Sequence, residues 1–160
     1  MPDLITYIEH AQDVLEQATK LMARGERFAL VNSVAIKGGT ARELGSLALV
    51  TASGQMFGYP SNGCIDQDIR LNAMRCLERG ERKLVHYGDG SPFPDLTLPC
   101  GGMLQVLLDP APDLDGLRSA FADLKARKPA RLTFESADQT GTLKIEYDPK
   151  PKVTLAGRGA

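Results

Sequence analysis

Apolar side chains at Leu4, Ile5, Ile8, Ala11, Val14, Leu15, Ala18, Leu21 and Met22 recur every three or four positions and stop at Gly25. That spacing predicts an amphipathic helix over residues 3–24 that covers a sheet. The period then changes. Residues 28–36 are dense in β-formers and nearly apolar on both faces, which predicts a central strand. Residues 47–51 and 55–59 flank Ala52-Ser53-Gly54, whose glycine supplies the positive φ of a tight turn, so they predict a β-hairpin. Pro60 has no amide hydrogen for a ladder and ends the pairing.

Helical spacing returns at Ile65, Ile69, Leu71, Ala73, Met74, Cys76 and Leu77 and is closed by Gly80. Residues 82–88 and 103–108 read as strands, separated by a stretch rich in glycine, proline and aspartate. A helix follows over residues 113–124, with Asp113 as its cap and Pro129 as its stop. Residues 131–135 and 142–147 alternate cleanly and predict a second hairpin with one wet face. The expected class is therefore α/β (α+β): a mixed β-sheet with packed helices and two β-hairpins in a single domain, residues 1–148. Residues 149–160 have linker composition and then an extended run into Gly157-Arg158-Gly159. That run lacks the third glycine or alanine and the helix of a dinucleotide site, so no nucleotide is assigned to it.

Composition narrows the function classes. At 160 residues the chain can bury a real core without metal or disulfide staples. Its 19 basic and 20 acidic side chains give a net charge of −1, which excludes a general pull toward nucleic acid or an anionic membrane. No apolar run approaches the roughly 20 residues of a membrane span, and Met1-Pro2-Asp3-Leu4 is an acidic start, so a soluble cytoplasmic protein is expected. Three cysteines without an export signal predict reduced thiols. There is no Cys-x-x-Cys, and the only histidines, His10 and His86, have no partner at ligand spacing, so no metal site is expected.

The chemistry concentrates in glycine-bearing loops. Lys37-Gly38-Gly39-Thr40-Ala41-Arg42-Glu43-Leu44-Gly45-Ser46 can turn amides, hydroxyls and a guanidinium toward an oxyanion. A plain connection with Arg42 paired at the surface explains the same residues. Ser61-Asn62-Gly63-Cys64-Ile65-Asp66 places Cys64 at or just before a helix N-terminus, where unpaired amides favour a thiolate. Cys100-Gly101-Gly102 leads into a strand and permits close backbone approach, with a packed thiol and a ligand-facing thiol both open. Cys76 sits on an apolar helical stripe and reads as a small buried hydrophobe.

These motifs, together with Gly58-Tyr59-Pro60 and Pro99-Cys100-Gly101-Gly102-Met103-Leu104-Gln105-Val106, follow one another with the order and spacing of the XdhC/CoxI family, which the chain resembles over roughly residues 10–110. The resemblance implies an XdhC/CoxI-like domain at 1–148, with 149–160 a linker and the truncated start of a Rossmann-like second domain. It implies a chaperone, not an enzyme: a protein that binds molybdopterin, the molybdenum cofactor, as cargo, protects it and inserts it into a xanthine dehydrogenase-type molybdenum hydroxylase. The implied partners are the apo-subunit of that hydroxylase and a cysteine desulfurase, with a homodimer left open. The implied cofactor-binding residues are Arg42, Gly45, Ser61, Gly63, Cys64, Cys100, Gly101 and Gly102, with no catalytic residue and no resident metal. Two alternatives stand beside it: a thiol-based oxidoreductase or sulfur-transfer protein using Cys64, and a non-catalytic partner-binding module.

Overall fold

The computed structural model describes residues 4–37, 46–61, 65–88, 102–135 and 142–151. Its first element corrects the sequence expectation. Ile5–Thr6 form a short strand, β1, and helix α1 is Ala11–Ala23. The opening residues satisfy their backbone across the chain: the Met56 N–H donates to Leu4 O at 2.7 Å and the Gly58 N–H to Thr6 O at 2.8 Å. The helical period of Ile5 and Ile8 is coincidental, because Ile5 packs on one face of the sheet and Ile8 on the other. His10, expected within the helix, is the residue before its first turn, and its carbonyl accepts from Asp13 and Val14.

The remaining elements follow the expected order: β2 (Phe28–Lys37), β3 (Leu47–Thr51), β4 (Met56–Phe57), α2 (Asp66–Arg79), β5 (Lys83–Gly88), β6 (Met103–Asp109), α3 (Leu114–Lys125), β7 (Ala130–Glu135) and β8 (Thr142–Tyr147). Six strands form one mixed sheet in the order β1-β4-β3-β2-β6-β5, with β2 central as its two apolar faces require. β1 pairs parallel with β4, and every other pairing in that sheet is antiparallel. β7 and β8 make a separate antiparallel hairpin whose first strand alternates buried and exposed. Gly80 closes α2 in the left-handed conformation, its N–H donating to Cys76 O at 2.7 Å. Asp113 stands at the start of α3, but only its carbonyl caps, accepting from Leu117; its carboxylate makes no cap bond.

The sheet separates two apolar clusters. On one face α2, the one helix there among the described residues, packs Ile69, Ala73, Cys76 and Leu77 onto Ala29, Val31, Ala48 and Val106, the small residues letting the helix lie close. On the other, α1, α3 and the β7–β8 hairpin share a cluster with Leu30, Leu49 and Leu107. Among the described residues no helix is long and apolar enough to cross a membrane.

The pairing also fixes direction. β1, β2, β4 and β5 all run the same way, because β3 lies antiparallel between β4 and β2 and β6 lies antiparallel between β2 and β5. α1 therefore carries the chain from the carboxyl end of β1 to the start of β2, and α2 from the carboxyl end of β4 to the start of β5. Both helices begin at the end of the sheet where these strands finish.

Candidate functional site

That shared end is where the glycine motifs attach. Lys37, Met103 and Gly88, on three neighbouring strands, occupy one register row. The segment with Arg42 follows Lys37 and rejoins the chain at Ser46. The Ser46 N–H donates to Ser33 Oγ at 2.9 Å and the Ser33 N–H to Ser46 O at 3.2 Å, so the returning stem is stitched to β2. The segment with Cys100 follows Gly88 and rejoins at Gly102. Gly88 has φ +85°, and a Cβ there would collide with Gly102 O, so the stems touch backbone to backbone and only glycine fits. Gly58, φ +92°, does the same on the other side of the sheet, where a Cβ would lie 2.6 Å from Leu47 O.

The stem around Cys64 is held by a side-chain clasp. Asp66, 2% exposed, lies in the first turn of α2, and its Oδ1 accepts the Ser61 hydroxyl at 2.7 Å and the Ser61 N–H at 3.1 Å. Ser61 Oγ in turn accepts the Ile65 N–H at 3.4 Å, one of the amides that a helix start leaves without an intrahelical partner. Ser61 is wholly buried, so both residues of the clasp are shielded from water.

A second clasp ties α2 to β5. Tyr87 Oη donates to Asp68 Oδ2 at 2.6 Å, and Asn72 Nδ2 donates to the same oxygen at 2.9 Å and to Asp68 O at 3.0 Å. Burial, and after it the hydrogen bond to Asp68, pushes the Tyr87 phenol well above its ordinary value, so it stays protonated and donating. Tyr87 precedes Gly88. One hydrogen bond therefore links the helix start beside the Cys64 motif to the strand end beside the Cys100 motif. Sequence reading missed Asp68, Asn72 and Tyr87 in this role; the clustering of acids at the start of a helix was the available signal.

Of the residues expected at the site, Ser61 is the buried partner of Asp66 in the clasp and Gly102 is buried against Gly88. Arg42, Gly45, Gly63, Cys64, Cys100 and Gly101 lie outside the described residues. Cys76 is buried on the α2 face as expected, and burial pushes its thiol up from its ordinary value, leaving it inert. His86 sits on edge strand β5, its Nδ1 3.0 Å from Gln105 Nε2 of the facing residue. Among the described residues no group of three His, Cys, Asp or Glu could hold a metal ion.

Residues 21–88 match the sequence pattern of the XdhC and CoxI family. The molybdenum cofactor insertion chaperone PaoD of Escherichia coli (strain K12) is 30% identical over 139 residues, which cover 87% of this chain and 44% of that protein. A crystal structure of a xanthine dehydrogenase from Bacillus halodurans superposes with a TM-score of 0.64 at 20% identity, covering 87% of this chain and 45% of that one. The chain spans less than half the length of either, and its likeness to the second is one of fold.

Proposed function

Because the chain belongs to the XdhC and CoxI family through residues 21–88, we propose that it carries molybdenum cofactor as cargo and passes it to the apo-subunit of a molybdenum hydroxylase. The name of the relative PaoD, a cofactor insertion chaperone, supports the class of role. The observation that carries it to a location is the common direction of β2, β4 and β5, whose carboxyl ends precede the three glycine motifs. Ligands of open α/β sheets commonly lie beyond such strand ends.

The proposed cargo site comprises Arg42, Gly45, Ser61, Gly63, Cys64, Cys100, Gly101 and Gly102. Molybdopterin has a phosphate, a dithiolene and a polar pterin. Arg42 would meet the phosphate through charge-assisted hydrogen bonds, and the amides about Gly63 and Gly101 would add neutral ones. Cys64 and Cys100 would supply soft sulfur for the metal end. The charge must come from the guanidinium, because Asp66 and Asp68 already answer the positive end of the α2 dipole. The cysteine desulfurase and a second copy of the chain remain partners proposed from the resemblance alone.

Protein purified with minimal oxygen and then oxidised reports its cargo as pterin fluorescence per chain. The wild type is expected to carry pterin, and Arg42→Ala, Cys64→Ala and Cys100→Ala to carry less. Equal fluorescence in all four removes these residues from the role. A wild type without pterin, even after coexpression with cofactor synthesis, removes the cargo itself.

A further inference from the structure

Tyr87 carries a polar atom that core packing does not call for. Its ring is wholly buried in the cluster beneath α2, where a phenylalanine would fill the same space. The hydroxyl nevertheless reaches the first turns of α2, donating to Asp68 Oδ2 at 2.6 Å and accepting from Asn72 Nδ2 at 3.4 Å. A buried network of this kind adds little net stability over apolar side chains of the same shape, and what it adds is direction.

Direction matters most for a helix held as α2 is. Its apolar stripe lies on Ala29, Val31 and Ala48. Small side chains offer shallow ridges, so apolar packing resists a shift along the helix axis weakly. A slip of one residue carries everything tied to the first turn by about 1.5 Å. Ser61 is tied there, through Asp66 Oδ1. Gly102 is tied elsewhere, against Gly88, the residue that follows Tyr87 on β5. The hydrogen bond from Tyr87 to Asp68 therefore joins the two bodies that carry Ser61 and Gly102, the two described residues of the proposed cargo site.

Resting on the cargo reading above, we infer that Tyr87, acting through Asp68, is a positioning residue of that site: its hydroxyl pins α2 against β5 and so holds the Ser61 and Gly102 stems at the spacing the cargo requires. Tyr87 touches no cargo itself, being wholly buried. Displacing a binding constellation by about 1 Å costs roughly tenfold to a hundredfold, which is the scale on which this bond acts.

The test titrates the fluorescent oxidised pterin released from molybdopterin, with its phosphate, against wild type, Tyr87→Phe, Asp68→Ala, the double variant of these two and Leu77→Ala. The temperature is one at which unfolding curves show all five folded. Leu77, in the last turn of α2, is buried in the same cluster, so its truncation leaves a cavity and supplies a destabilised control whose first turn is intact. Tyr87→Phe and Asp68→Ala are each expected to weaken the probe by about tenfold, and the double variant by no more, since both cut one bond. Leu77→Ala is expected to bind within about twofold of wild type. If Tyr87→Phe binds as wild type does, the positioning role is overturned and the cargo reading stands. If Leu77→Ala weakens the probe as much as Tyr87→Phe does, the hydroxyl serves stability alone and the role is overturned in the same way. If wild type binds no probe, the cargo reading falls and the positioning role with it.

Discussion

α1 and α2 do the same topological job and are held by different physics. Each carries the chain from the finish of one strand to the start of a parallel one, and each begins at the end of the sheet that leads to the glycine motifs. α1 is held by hydrocarbon: Val14, Leu15, Ala18 and Leu21 are all buried in the cluster shared with α3 and the second hairpin. α2 also buries an apolar face, but its first turn is fastened by carboxylates, Asp66 to Ser61 and Asp68 to Tyr87. Apolar packing is non-directional and fixes a helix only as a body. Hydrogen bonds to buried groups fix individual atoms, and they occur here in the helix that starts beside the Cys64 motif.

The sharpest way to break this contrast is to empty each helix in turn. Leu15→Ala, at a wholly buried position, is expected to cost about 2–5 kcal/mol by denaturant unfolding, since the cavity cannot collapse between two helices and a sheet. Asp66→Ala comes next: it leaves the Ser61 hydroxyl and amide buried without their acceptor, at about 1–3 kcal/mol for each orphaned group. If the two carboxylates only decorate the helix start, Asp66→Ala will instead behave like a surface substitution and shift the unfolding midpoint by less than the error.

Tyr87→Phe is the smaller and more diagnostic change, expected to cost about 1–2 kcal/mol through the lost hydrogen bond to Asp68 Oδ2, which keeps Asn72 as a donor. It carries a pH signature. Burial raises the phenols of Tyr87 and Tyr147 above the ordinary value of 10, so the folded chain keeps those protons after the unfolded chain has begun to lose them. Stability from this source is complete below pH 10 and declines as pH rises beyond it. Tyr87→Phe should reduce that alkaline slope, and an unchanged slope would show that the phenol is not shielded.

Asn32 offers a change of opposite sign on the α1 face. It is 1% exposed between Leu47 and Leu107, and neither atom of its amide has a protein partner among the described residues. Asn32→Leu is expected to raise the melting temperature by about 2–4 °C, the shift that about 1 kcal/mol produces in a chain of this size. Smallest of all is Lys150→Met, which removes the ion pair of Lys150 Nζ with Asp13 Oδ1 at 2.9 Å and should cost under about 1 kcal/mol, because both side chains are partly solvated.

The elements that could be read from the sequence are those whose signals are local. α2 announces itself by its spacing and by Gly80, and the first hairpin by Ala52-Ser53-Gly54, where Gly54 has φ +93°. The start of α1 could not be read, because the choice between helix and strand at Ile5 is made by Met56 and Gly58, distant in the chain. The same holds for the clasps. Asp68 looks like an ordinary first-turn acid until β5 brings Tyr87 beside it. Of the residues proposed for the cargo, Ser61 and Gly102 can be placed, and both prove to be stem residues whose burial depends on partners that spacing does not name.

Lys150 has a practical consequence. Its N–H donates to Gln12 Oε1 at 3.2 Å, its ammonium meets Asp13, and its carbonyl accepts from Arg127, so Lys150 is seated beside the first turn of α1. Loss of the Lys150 side chain would therefore loosen the start of α1, at the same end of the sheet as the three strand ends, rather than the hairpin that Lys150 follows.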